Sequence, residues 1–280
     1  MSQLVIGARE APTRNQWRFH ILNGIAKALP PFAFIVSLLG AWEVLVRTLK
    51  VSPLVLPPPS AIAAKAVSEA GFFVPHFLVT GGEVVAGFLA ATVIGCILGF
   101  VIAFSRRIGS AVYPVIIGAQ VTPKVAIAPL LVIWFGFGVM PKIILTAIIS
   151  FFPVVVSMIV GLNATRREQI YLFRSMDASR TTTFFKLLLP GALPVLFGGL
   201  KVAATLSVIG AVVGEFASAT KGLGYVLMFS VGTLDTTSAL AATAYLIVLG
   251  LMVFFSVILV EQAVVPAHMR RRLEESGEKM

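Results

Sequence analysis

Cysteine is almost missing from this chain. Cys96 is the single one in 280 residues, and it lies inside an apolar run. No disulfide can form within the chain, and Cys96 with three scattered histidines is too small a set for a structural zinc site. Charge is scarce as well: 12% of residues are charged, with 12 acidic against 22 basic. There is no GxxxxGK[ST] phosphate loop, so ATP hydrolysis by the chain itself is not expected, and GxSxG and HExxH are missing too. Without a clustered catalytic constellation an enzyme is disfavoured. Met1–Ala28 has no compact apolar core followed by a cleavage site, so no signal peptide is expected and the chain should insert as it stands.

What the chain has instead is apolar length. It is 58% hydrophobic with mean hydropathy +0.97, more than a soluble domain of this size needs to build a core. The composition is that of an integral membrane protein. A net charge of +10 would suit nucleic acid, but the basic residues sit in short connectors, and attraction to an anionic cytoplasmic leaflet accounts for them. Contact with membrane lipid, and none with nucleic acid, is the expectation.

A bilayer core needs about 20 apolar residues in a helix. Six segments qualify: Ala28–Val46, Val84–Phe104, Ala111–Phe135, Ile143–Leu162, Leu187–Gly214 and Ala239–Val260. The third is interrupted by Pro114, Pro123, Lys124 and Pro129, and the fourth contains Pro153. Basic residues set the orientation. With the N-terminus inside, segments 1–27, 105–110, 163–186 and 261–280 are cytoplasmic and hold most of the Lys and Arg. The outer connectors hold Lys50, Lys65 and Lys221 and, counted generously, Arg47 and Lys142. The expected organisation is a cytoplasmic segment 1–27, a six-helix all-α membrane domain 28–265 with a loop at 163–190, and a cytoplasmic tail 266–280.

Two outer connectors carry more than turns. In Ser52–Leu78, Pro57–Pro59 fixes an extended entry and Ser60 is placed to cap a short helix. In Glu215–Ser238, KGLGY and GTLD read as a turn and a loop between helical pieces that can dip back into the membrane. Gly87, Ala91, Gly95 and Gly99 recur every four residues, and Gly210 and Gly214 repeat the pattern, so helices should approach closely there.

Charges within the spans are few. Glu43 precedes Arg47 by one helical turn and reads as a local pair. Lys201 lies eleven residues past Pro190, roughly 16 Å along a helix at 1.5 Å per residue. It either reaches a surface or a neighbouring carbonyl, or stands as a fixed cation near a pathway. Trp134 and Phe135, with Phe137, either line a route for a planar solute or anchor at the headgroups. Glu215 either gates a pathway or bonds loop backbone.

The most telling stretch is polar: Arg166–Pro190, RREQIYLFRSMDASRTTTFFKLLLP, between long apolar runs. Its ending, Leu187-Leu188-Leu189-Pro190 followed by GALP, resembles the signature loop of the inner-membrane permease subunits of bacterial ABC importers. That signature is EAA, three residues, Gly, nine residues, then I-x-L-P. Counting back places Tyr171 at the glutamate position, Leu172 and Phe173 at the alanines, and Asp177 at the glycine, so the tail and spacing match and the head departs. TPKVAIAPLLVIWFGFGVMPKIILTAIISFFP (122–153), LPPPSAI (56–62), GFVIAFSRRIG (99–109), VVGEF (212–216) and KGLGYVL (221–227) are similar to the permeases for nitrate, taurine, sulfonates and related solutes. GLGYVLMFSVGTLDT is most like subgroup members for pyrimidine, riboflavin or aromatic-acid uptake.

The resemblance implies a type I importer permease that binds no cofactor itself. It would work as a pair of identical chains in the bacterial inner membrane, with a cytoplasmic ABC ATPase dimer holding ATP and Mg, and a periplasmic or external solute-binding protein. The segment Phe173, Arg174, Ser175, Met176, Asp177, Ala178, Ser179, Arg180 would be the coupling helix, and Leu187, Leu189 and Pro190 the motif's end. Phe173 and Met176 suit an apolar pocket, Arg174 and Arg180 a charged surface, and Asp177 and Ser179 a helix end. The competing reading is a gradient-driven secondary transporter, against which the scarcity of buried ionisable groups and the lack of an internal repeat both count.

Overall fold

The computed structural model describes residues 14–265. The two end segments, 1–13 and 266–280, lie outside the described residues, so the expectations for the tail and for the first half of the N-terminal segment are not addressed. Among the described residues there are helices, turns and no strand, as an apolar chain in lipid requires: a helix satisfies its backbone groups within one segment. The chain divides into two compact units at Ala61/Ile62.

The first unit holds α1 (Arg14–Thr48) and the start of α2 (Pro59–Ser68). The expected pair is present, with Arg47 Nε donating to Glu43 Oε1 at 2.6 Å. Ser60 does not cap α2 as expected, because it is already helical. Instead the Glu43 carboxylate accepts from the Ser60 amide at 3.0 Å and from its hydroxyl at 2.7 Å, so an acidic group from α1 serves the free N–H at the start of α2.

The second unit contains α3 (Ala70–Phe104), α4 (Arg106–Val121), α5 (Ala128–Phe135), α6 (Met140–Asn163), α7 (Arg167–Ser175), α8 (Arg180–Thr183), α9 (Leu189–Ser218), α10 (Leu223–Gly232) and α11 (Thr236–Val264). Among the described residues, five helical stretches are long and apolar enough to cross a membrane: Leu29–Thr48, Ala70–Phe104, Met140–Asn163, Arg180–Ser218 and Thr236–Val264. The sharply bent pair Gly109–Val121 and Lys124–Phe135 makes a sixth if counted as one span. The break falls at Thr122–Pro123, where a proline cannot continue the hydrogen-bond ladder, and a single 3-10 turn, Lys124–Ile127, leads into α5.

At the centre of this unit α6 packs along α9 on one side and α3 on the other. The glycine stripe does what its spacing predicts. A Cβ on Gly95 would come within 2.8 Å of Val154 Cβ, and one on Gly99 within 2.6 Å of Met158 Cβ. On α9, a Cβ on Gly210 would lie 2.7 Å from Thr146 Cα, so backbone rather than a movable side chain fills the space. Close approach of this kind brings helix backbones into dispersion contact where lipid offers no hydrophobic drive.

Candidate functional site

Two places in the second unit gather polar chemistry, at opposite ends of α6 and α9. The first is the connection from α6 to α9. Here α7 ends at Ser175, and its orphan carbonyls are closed by a Schellman arrangement. The Asp177 amide donates to Arg174 O and the Ala178 amide to Phe173 O, both at 3.0 Å. That geometry puts Asp177 at φ +52°, the left-handed region, in the position where glycine is usual. Asp177 is thus a tolerated stand-in for glycine, since aspartate enters this region more readily than most residues. Ser179 then caps α8, its Oγ accepting from the Thr182 amide at 3.1 Å.

The segment carries apolar groups outward. Tyr171 is 61% exposed, Leu172 59% and Met176 71%, while Phe173 is half-buried. Arg174, Ser175, Asp177 and Arg180 are exposed and Ala178 half-buried. Leu187, Leu189 and Pro190 are half-buried, and Pro190 stands in the first turn of α9. A π turn over Phe184–Leu188 joins α8 to α9. Phe184 anchors it, its ring edge-on to Phe100 at 5.1 Å and to Phe104 at 5.6 Å. Phe184 lies outside the expected coupling residues; the signal for it was an aromatic beside the motif in a loop otherwise polar.

The second place is the start of α10. Gly222, at φ +122°, Leu223 and Gly224 present three successive amides at a helix N-terminus. Each is met by a side chain from another helix: Gly222 N–H by His76 Nδ1 at 2.9 Å, Leu223 N–H by Thr80 Oγ1 at 2.8 Å, and Gly224 N–H by Glu215 Oε2. Thr80 Oγ1 also lies 2.7 Å from Glu215 Oε1. Of the two readings open for Glu215, the geometry is that of bonding loop backbone. A Cβ on Gly224 would come within 2.7 Å of Glu215 Oε2, so the glycine is what lets the carboxylate in.

Beside Glu215 lies an ion pair that the sequence did not disclose. Lys142 Nζ donates to Glu83 Oε1, and both side chains are buried. The expected second span began at Val84 and so excluded Glu83, and Lys142 was assigned to a connector. Both are corrected: α3 runs from Ala70, and Glu83 and Lys142 sit inside the packed helices. The α3–α6 register that seats Gly95 on Val154 and Gly99 on Met158 places Glu83 opposite Lys142 one turn beyond Gly87 and Thr146.

The remaining candidates are apart from both places. Lys201 is not a free cation: its Nζ lies 2.6 Å from Glu261 Oε2 on α11. Trp134 and Phe135 end α5 with 66% and 52% exposure, and Phe137 follows at 84%. Among the described residues no group of three or more His, Cys, Asp or Glu is placed to hold a metal ion.

Residues 91–266 match the family described as "Binding-protein-dependent transport system inner membrane component". The chain is 33% identical to the formylaminopyrimidine transport permease protein ThiX of Halalkalibacterium halodurans, over 86% of this chain and 96% of that one. It is 33% identical to the riboflavin transport system permease protein RibX of Chloroflexus aurantiacus, over 82% and 87%. It is 27% identical to the taurine transport system permease protein TauC of Escherichia coli, over 91% and 94%. Among solved structures, a chain of the MetNI methionine ABC transporter superposes with TM-score 0.63 at 18% identity, covering 71% of this chain and 99% of that one, which is a shared fold.

Proposed function

The chain belongs to the binding-protein-dependent transport system inner membrane component family and is a membrane permease subunit of an ABC importer, and we propose that its α7–α8 segment is the surface through which a cytoplasmic ABC ATPase drives it. In this reading two copies form the translocation pathway, two ATPase subunits hold ATP and Mg, and an external binding protein delivers the solute. The N-terminus, the 163–190 loop and the C-terminus face the cytoplasm, in keeping with the basic residues of those segments. In this reading ATP hydrolysis belongs to the partner.

The observation that carries the coupling role is the exposed apolar row Tyr171, Leu172 and Met176 on α7 and its cap, joined by a tight turn to α8, which continues through one π turn into α9. Apolar side chains rimmed by Arg174 and Arg180 suit a groove on a soluble protein better than water. Movement there passes to α9 through the continuous backbone and to α3 through Phe184.

For the solute, we propose a small heteroaromatic containing a pyrimidine ring. The support is that both relatives at 33% identity quoted above are named for such solutes, formylaminopyrimidine and riboflavin, whereas the taurine relative is at 27%. Purification of the tagged chain from its native membranes tests the assembly: an ABC ATPase in equal amount is expected, and its absence with intact uptake would favour a gradient-driven carrier. Calorimetry with the external binding protein that stimulates this permease tests the solute. Tight binding of an aminopyrimidine or flavin is expected; binding of taurine alone would overturn the assignment.

A further inference from the structure

We propose that Glu83 and Glu215 together hold one permanently bound proton, forming with Lys142 an electrically neutral joint that fixes the start of α10 against α3, α6 and α9. Three observations carry this. The first is charge. Two carboxyls and one ammonium are buried together, with Glu83 1% exposed, Glu215 2% and Lys142 6%. With both carboxyls ionised the group would carry a net negative charge inside packed membrane helices, an arrangement that burial strongly disfavours. One proton brings the sum to zero. Of the other side chains at the start of α10, Thr80 carries no charge, and His76 accepts the Gly222 amide through Nδ1, which leaves that imidazole unable to balance the charge. Lys221, on the turn, is exposed to solvent.

The second is an orphaned atom. Glu83 Oε2 is fully buried and receives no donor, while Glu83 Oε1 is taken by Lys142. Buried carboxylate oxygens are satisfied in nearly all structures, and an exception calls for a cause. The third is what stands next to it: Glu215 Oε1 lies 2.7 Å from the hydroxyl of Thr80, which precedes Glu83 by one turn of α3, so the second buried carboxyl enters beside the first. Two neighbouring buried carboxylates repel, whereas a carboxyl and a carboxylate share a strong hydrogen bond. A proton between them supplies the missing donor.

The joint has a structural consequence. Glu215 holds the α10 amide only while it stays in place against α3, and the shared proton is the tie between those two helices. The inference concerns the chain alone and does not depend on the ATPase or the solute.

The test is infrared spectroscopy of the purified full chain in lipid nanodiscs at neutral pH, reading the C=O stretch of protonated carboxylic acid. The wild type should show one such band, and Glu83→Gln and Glu215→Gln should each abolish it. Glu83→Gln should keep the unfolding temperature, because the amide donates to Glu215 permanently, while Glu83→Gln with Glu215→Gln should lower it by leaving Lys142 uncompensated. No protonated-carboxyl band in the wild type, or a band that survives both single substitutions, would overturn the proposal.

Discussion

Lys201 Nζ and Glu261 Oε2 lie 2.6 Å apart and tie the first half of α9 to the last turns of α11. Their side chains are 29% and 13% exposed, so the pair is partly withdrawn from solvent and screening. Removing one partner leaves the other charge without its bond. Lys201→Met should lower stability by about 1–3 kcal/mol, the range for a hydrogen bond to a charged group. Adding Glu261→Met should recover most of it, because apolar pairs replace buried ion pairs at little cost. Thermal unfolding of the four proteins in detergent reads this as a double-mutant cycle. A cycle with no coupling energy would return Lys201 to the role of an unpaired cation.

Asp177 sits where the backbone, rather than the carboxylate, has the strict requirement. At φ +52° a β-branched residue is strained by about 1–3 kcal/mol, while glycine has no such penalty. Asp177→Gly is therefore expected to preserve the α7 cap and transport-coupled ATPase activity, and Asp177→Val to impair both. The assay is ATP hydrolysis by the reconstituted complex with loaded binding protein. Should Asp177→Gly lose coupling as completely as Asp177→Val, the carboxylate itself contacts the partner.

The α6–α9 seam predicts an intolerance of small steps. A Cβ on Gly210 meets Thr146 Cα at 2.7 Å, and one on Gly161 meets Ala192 O at 2.9 Å. In both cases backbone must move. Gly210→Ala and Gly161→Ala should each cost about 1–3 kcal/mol, as overpacking does in tight cores. Gly198→Ala, on the same helix with open space around it, is the matched control and should be neutral or better. Equal unfolding temperatures for all three would contradict the seam.

What could be read in advance follows from the range over which the physics acts. Long apolar runs, the four-residue glycine spacing, the break at Pro123 and the Ser179 cap are local signals, and each appears where the sequence puts it, whereas Pro114 does not interrupt its span but lies within α4. Glu83 was lost because a span is delimited by apolar residues, and a charge at its edge trims it. What permits that charge inside is Lys142, brought alongside by a helix register that no local pattern encodes. Ser60 failed in the same way: its cap comes from Glu43 on the preceding helix. The two readings of Lys201 turned on Glu261, sixty residues on. Tertiary pairing of charges is the part of this fold that one sequence does not disclose.

The start of α11 carries a pH dependence that can be signed. Asp235 caps the helix, its Oδ1 accepting from the Ser238 amide at 3.0 Å and its Oδ2 from the Ser238 hydroxyl at 2.6 Å. Those bonds, the hydroxyl's first, hold the Asp235 carboxyl below its ordinary value of 3.8. A depressed folded-state value means the unfolded chain takes up the proton first as pH falls. The stabilisation is therefore complete above the ordinary aspartate range and is lost as pH falls through the folded value, which lies below 3.8. Asp235→Ala should cost about 1 kcal/mol at neutral pH, typical for loss of a cap, and should remove this component of the acid dependence. Asp235→Asn should keep most of the neutral-pH stability, since its amide oxygen still accepts, but show the same flattened acid response. Unfolding temperatures of the three proteins between pH 7 and pH 3 decide it: parallel acid curves for wild type and Asp235→Asn would mean that the cap is not a source of the dependence.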